Sequence, residues 1–145
     1  MSTPAATDAE LAARLRLAVT RLARRLRQQA QGEVSPSQLS ALSSVERLGP
    51  LTLGELSAVE RVQPPTMTRI VASLEALGFV DRIVDTDDRR VARVQITSDG
   101  RRFLGRSRSR KNAYLAARLQ TLPADDRETL ARAAVVLERL LEEEP

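Results

Sequence analysis

Apolar residues fall in two rhythms along the chain, one of three and four residues and one of two, and Gly, Pro and capping residues mark where the rhythm changes. Thr7-Asp8-Ala9-Glu10 is a capping box, and behind it Leu11, Leu15, Ala18, Leu22 and Leu26 share one helical stripe. The pattern predicts a first helix from about Asp8 to about Gln31, broken by Gly32. Ser35-Pro36-Ser37-Gln38 supplies a second box with proline at the first helical position, followed by Leu39, Leu42, Val45 and Leu48 until Gly49-Pro50 stops the helix. Thr52-Leu53-Gly54-Glu55 is a third box, opening a short helix through Leu56 and Val59 to about Glu60. Pro64 and Pro65 are tolerated only at a helix start, and Met67, Ile70, Val71, Leu74 and Leu77 then repeat on one face until Gly78. From Val80 to Ile96 the rhythm becomes that of two short strands joined by a charged loop. Thr97-Ser98-Asp99 caps a fifth helix holding Phe103, Leu104, Tyr114, Leu115 and Leu119, interrupted by Pro123. A sixth, from about Ala124 to about Glu143, carries Leu130, Ala133, Ala134, Leu137, Leu140 and Leu141 on one face.

Two helices joined by a tight turn and followed by a hairpin make a winged helix-turn-helix. The expected fold is mainly α with a small β-hairpin wing (α+β). Residues 1–34 form an N-terminal dimerisation helix, 35–97 the winged domain and 98–145 C-terminal dimerisation helices. The terminal helices carry apolar stripes that a small winged domain cannot cover, which points to a homodimer. The competing arrangement folds them back onto their own domain.

Composition narrows the function. The 145 residues, 42% apolar, suffice for one compact domain or a small one with helical extensions. Aromatics make up 2% (Phe79, Phe103, Tyr114), so there is no platform for stacking unpaired bases. The formal charge is +4, and Lys111 is the only lysine among 23 basic residues. Arginine is the better fork for phosphates and guanine edges, although GC-rich codon usage also inflates it. Cysteine and histidine are absent, which removes disulfides, thiol switches, Cys/His zinc sites and a histidine base. No catalytic constellation is visible and no cofactor or metal is expected; Asp85, Asp87 and Asp88 lack the loop glycine and distal glutamate of a calcium loop. Met1-Ser2-Thr3-Pro4 opens a polar N-terminus, and no apolar run approaches ~18 residues, so a cytoplasmic protein without membrane contact is expected.

Chemistry concentrates in the fourth helix and the loop. With Met67, Ile70, Val71 and Leu74 turned inward, Pro65, Arg69, Ala72 and Ala76 face the other way. Small alanines leave room for groove walls while Thr68 and Arg69 reach bases or phosphates; a merely solvated face would favour Lys and Glu. In the loop, Asp85, Asp87 and Asp88 stand beside Arg89 and Arg90, and arginine held out on a thin ribbon suits a narrow, negative groove. Asp and Arg are also ordinary hairpin-turn residues. The run Arg101, Arg102, Arg106, Arg108, Arg110 and Lys111 is too dense for one groove-facing stripe: it reads as a solvated basic face, or as a phosphate-contacting or anion-binding wall.

Leu51-Thr52-Leu53-Gly54-Glu55-Leu56, Pro65-Thr66-Met67-Thr68-Arg69-Ile70-Val71, Leu74-Glu75-Ala76-Leu77-Gly78-Phe79-Val80 and Asp85-Thr86-Asp87-Asp88-Arg89-Arg90 running on to Ile96-Thr97-Ser98-Asp99-Gly100 together resemble the MarR family of bacterial transcription regulators. The resemblance implies a homodimer on pseudopalindromic double-stranded operators, with the fourth helix in the major groove and the wing in the neighbouring minor groove. Gln63, Pro65, Thr66, Thr68 and Arg69 then match the contacting start of the recognition helix. Asp88 and Arg90 match a wing pair in which carboxylate orients guanidinium, with Arg89 beside it. Where the family often has Ser-Gln or Ser-Ser, this chain has Gln63-Pro64-Pro65, so its base contacts differ. The resemblance also implies a repressor released by a small aromatic or anionic effector, bound where the first, second and fifth helices meet, with Arg16, Arg24 and Tyr114 as pocket residues. The alternative is a winged-helix module that binds a protein partner without reading DNA.

Overall fold

A computed structural model describes residues 4–30, 32 and 34–142. The elements are α1 (Asp8–Gln29), α2 (Pro36–Leu48), β1 (Leu51–Thr52), α3 (Leu53–Glu60), α4 (Pro64–Ala76), β2 (Val80–Val84), β3 (Ala92–Ile96), α5 (Ser98–Gln120) and α6 (Ala124–Glu142). The chain is thus mostly helical with one small antiparallel sheet. The ends expected near Gln31 and Glu143 fall outside the described residues.

The caps that delimit the helices are formed largely as the residues dictate. Thr7 and Glu10, and Ser35 and Gln38, close full reciprocal boxes. At the third box only half forms: Thr52 Oγ1 accepts from the Glu55 amide at 3.1 Å, with no return bond from the Glu55 carboxylate. Thr52 is itself a strand residue, paired opposite Arg93. This corrects the expected two-stranded wing. The sheet has three strands in the order β1-β3-β2, with β1 joining through Leu51 opposite Val94. On the other side of β3, Val80 lies opposite Ile96 and Arg82 opposite Val94. Val94 is the one fully buried residue of β3, and a one-residue slip of register would turn it out to solvent.

The core is aliphatic. Leu42 and Val45 from α2, Leu56 from α3, and Met67, Val71 and Leu74 from α4 close over Val80 and Val94. The start of α5 adds Phe103 and Leu104, and Phe103 stacks on Phe79 with ring centroids 4.6 Å apart. By contrast, α1 and α6 bury no residue among those described. Leu11, Leu15 and Leu22 on α1, and Leu130, Leu137, Leu140 and Leu141 on α6, all stand exposed.

Two glycines of α5 give opposite expectations for the same substitution. Gly100 is buried in the first turn, where a Cβ would overlap the Phe79 carbonyl oxygen and come within 2.7 Å of Ile96 Cγ1. Gly100→Ala should destabilise by about 1–3 kcal/mol, as overpacking does. At Gly105 a Cβ meets nothing within 4 Å, so Gly105→Ala should stabilise by about 0.4–1 kcal/mol. Urea denaturation measures both, and a shift of the same sign in the two variants would contradict this packing.

Candidate nucleic-acid interface

The turn between α3 and α4 is set by backbone geometry rather than glycine. Arg61 closes α3 in the left-handed region (φ 53°), and the Val62 amide reaches back to the Ser57 carbonyl at 3.0 Å. Gln63 is the N-cap of α4, yet its side chain makes no capping bond. Pro64 and Pro65 remove two of the backbone donors that a helix start normally leaves unpaired, and the Met67 amide is bonded to the Gln63 carbonyl. Thr66 therefore carries the one remaining amide of that turn. The Gln63 amide group is released from capping and free to point outward.

The helix divides as its periodicity predicts. Met67, Ile70, Val71 and Leu74 are buried, while Gln63, Pro65, Thr68, Arg69, Ala72 and Ala76 are exposed and Thr66 is half-buried. The Thr68 hydroxyl donates to the Pro64 carbonyl at 3.0 Å, so it must turn away from its own helix to meet a partner. Arg69 stands on the bare face between the small alanines.

The loop between β2 and β3 is organised by two carboxylates. Asp88 takes Arg90 in a fork: Oδ1 accepts from Nε at 3.1 Å and from the Arg90 amide at 3.1 Å, and Oδ2 accepts from Nη2 at 3.2 Å. The Arg90 side chain is nevertheless 91% exposed, held by one edge and presented by the rest. Asp85 works differently. It accepts from Arg93 Nη1 at 2.6 Å and from the amides of Asp87 and Asp88, pinning the base of the loop. Both carboxyls are consequently held below the usual carboxylate pKa, Asp85 first by the Arg93 guanidinium and Asp88 first by that of Arg90. The ties form above the ordinary carboxylate range and are lost only as pH falls through these lowered values, so they are intact at neutral pH. Arg89 is exposed beside them.

One contact here was not anticipated from sequence. Arg82 Nε on β2 donates to Glu75 Oε1 at 2.9 Å, linking the end of α4 to the first strand of the wing across the turn at Gly78 (φ 79°).

The three residues expected to line an effector pocket are not brought together. Arg24 borders a recess of about 290 Å³ with Arg27, Gln28, Val34, Pro36 and Leu39, between the end of α1 and the start of α2. Arg16 lies further back along the exposed face of α1, outside that recess. Tyr114 stands on α5 with the Arg118 guanidinium 5.5 Å from its ring centre. Hydrogen bonding from Arg118, and then from Arg25, lowers its phenol pKa against the opposing effect of burial.

Comparison with known proteins places this geometry. Residues 34–92, the segment from the start of α2 to the top of β3, match the family model described as MarR family. An uncharacterized HTH-type transcriptional regulator of Mycobacterium leprae is 44% identical over 140 residues, covering 96% of this chain and 98% of the relative. A crystal structure from Pseudomonas aeruginosa PA01 superposes with a TM-score of 0.86 at 36% identity, covering 97% of this chain and all of that one. A Staphylococcus aureus MepR variant bound to an oligodeoxyribonucleotide shares the fold, with a TM-score of 0.71 at 18% identity over 90% of this chain and 97% of its own. With a near full-length relative at this identity and the family model lying on the winged segment itself, the chain belongs to the MarR family of winged helix-turn-helix transcriptional regulators.

Proposed function

We propose that the protein is a homodimeric, sequence-specific double-stranded DNA-binding repressor whose operator complex is released by a small ligand. The observation that carries the DNA reading is the Asp88–Arg90 fork, which presents an exposed guanidinium on a thin loop while α4 offers Arg69 and Gln63 on an otherwise bare face. An arginine kept extended before DNA arrives loses less side-chain entropy on entering a narrow minor groove. Gln63, Pro65, Thr66, Thr68 and Arg69 contact the major groove, and Asp88, Arg89 and Arg90 form the wing contact. The oligodeoxyribonucleotide on MepR supports the view that this fold can hold DNA. Homodimerisation is supported by the exposed leucines of α1 and α6, which would otherwise leave large apolar faces in water. Effector release follows from the same geometry. In a two-fold dimer the recognition helices sit on separate lobes, and a small aromatic or anionic molecule wedged where α1, α2 and α5 meet would alter their spacing. The alternative, a protein-interaction module, predicts no preference among DNA sequences.

Selecting binding sites from random DNA with the purified protein should return an inverted repeat with half-sites about one helical turn apart. Affinity should fall by about 10³ to 10⁵ between about 50 and 200 mM salt if roughly six to ten phosphates are neutralised. No enriched sequence together with a flat salt response would reject the DNA reading in favour of a protein partner.

Arg90→Ala should weaken binding most on sites with narrow A·T-rich flanks, and Asp88→Ala should cause part of the same loss. Their effects should be non-additive, with a coupling of about 0.5–3 kcal/mol in the double mutant. Strict additivity would mean that the fork does no orienting. For the assembly, sedimentation velocity at micromolar concentration should show a dimer, and removal of α6 should leave monomer or aggregate. A stable full-length monomer would overturn the assignment of the terminal helices.

A further inference from the structure

A second cleft, of about 360 Å³, opens between α2, the end of α3 and α5. Its floor is polar. The buried Ser44 hydroxyl donates to Glu60 Oε2 at 2.9 Å. Ser107, 1% exposed and also lining the cleft, has no hydrogen-bond partner for its Oγ among the described residues. A buried hydroxyl without a partner is costly and calls for a physical explanation. The rim is cationic: Arg27, Arg47 and Lys111 form no ion pair among the described residues, whereas Arg108 is held by Glu46 at 2.8 Å. Ser40 and Ser43 add further hydroxyls, and no aromatic ring lines the space.

We propose that this cleft binds a non-aromatic phosphate-type oxoanion, free or as a small phosphomonoester, and that its occupancy weakens operator binding through Glu60. The inference rests on α4 being the DNA-reading helix. Guanidinium, ammonium and hydroxyl groups all offer protons, and Glu60 is the one carboxylate lining the cleft. The fitting ligand is therefore rich in acceptors and at least singly charged. A phosphate group supplies three strong acceptor oxygens and about −1.5 to −2 of charge at neutral pH. A flat aromatic acid finds only Pro36, Leu39 and Leu104 as apolar surface and no ring to stack against.

Glu60 converts occupancy into a change at the DNA-reading helix. It is the last residue of α3, directly before the left-handed Arg61 and three residues before the N-cap of α4. An arriving anion competes for the Ser44 hydroxyl and repels the Glu60 carboxylate, which shifts the end of α3 and with it the turn that aims α4. This acts inside one lobe and needs no change in the spacing of two lobes. By linkage, DNA must weaken anion binding by the same factor.

The test uses the full chain in a phosphate-free buffer. Calorimetry with inorganic phosphate, glycerol 3-phosphate and salicylate separates the two phosphate sources from the aromatic class. Operator affinity is then measured in phosphate against chloride at matched ionic strength. Phosphate or its ester should bind, and Ser107→Ala and the pair Arg47→Gln with Lys111→Gln should each weaken that binding about tenfold or more, the scale of a lost charge-assisted bond. The melting temperature of Ser107→Ala should be unchanged or higher, since the substitution removes an unpaired buried hydroxyl. Saturating phosphate should lower operator affinity about five- to 150-fold. Glu60→Gln should keep phosphate binding and abolish its effect on DNA. Binding of salicylate alone, no binding of either phosphate, or an undiminished phosphate effect on DNA in Glu60→Gln would each overturn the proposal. Failure of the untreated protein to bind any DNA would instead count against the DNA reading, and the calorimetric arm would still decide the site.

Discussion

Phe79 is the point through which the winged domain is held together. Its amide caps the end of α4 on the Leu74 carbonyl at 3.0 Å, and its carbonyl accepts from the Thr97 amide, also at 3.0 Å. Its ring lies on Phe103 in α5. The Thr97 hydroxyl adds a 2.6 Å bond to the neighbouring Gly78 carbonyl while its oxygen caps α5. One short segment thus fixes the exit of the recognition helix, the entry to the wing and the start of the long fifth helix. Because interiors of this density resist small displacements, these three elements move together or not at all. The close approach at Gly100, where a side chain would meet the Phe79 carbonyl, is a direct result of that convergence.

Around this apolar joint the polar contacts are mostly exposed and individually weak, so their value lies in direction. The Glu75–Arg82 and Asp88–Arg90 pairs are largely solvated, and such pairs contribute about 0–1 kcal/mol to stability at most. What they set is where a guanidinium points. Arg82 is tied to the helix that reads the groove and Arg90 to its own loop, so the two basic groups of the wing take their orientation from different parts of the molecule.

Much of this was legible in the sequence because it is local. Caps act within three or four residues, and Thr7, Ser35 and Thr97 start their helices as the pattern predicts. The Asp88–Arg90 fork spans two residues and was likewise anticipated. The third strand was missed because Leu51-Thr52 is too short to carry an alternation, and its partner β3 lies far along the chain. The Glu75–Arg82 tie crosses a turn whose path is set by Gly78 rather than by any charge pattern. The effector residues failed to converge for a geometric reason: Arg16 and Arg24 sit at different heights on α1, and Tyr114 is engaged by arginines of α1 and α5. The hydroxyls of Ser44 and Ser107 carry no sequence signal at all, since buried serine on a helix reads like any small residue.

Tyr114 gives the molecule a built-in optical reporter. It is the only tyrosine in a chain without tryptophan, so near-ultraviolet emission comes essentially from one ring. That ring is bracketed by Arg118 on its own helix and Arg25 on α1, beside helices whose apolar faces stand bare. Any event that separates α1 from α5, or brings another surface against them, changes the quenching and hydrogen bonding of a single phenol. Changes at the wing or the recognition helix, remote in sequence from Tyr114, leave it silent unless they travel through the fifth helix.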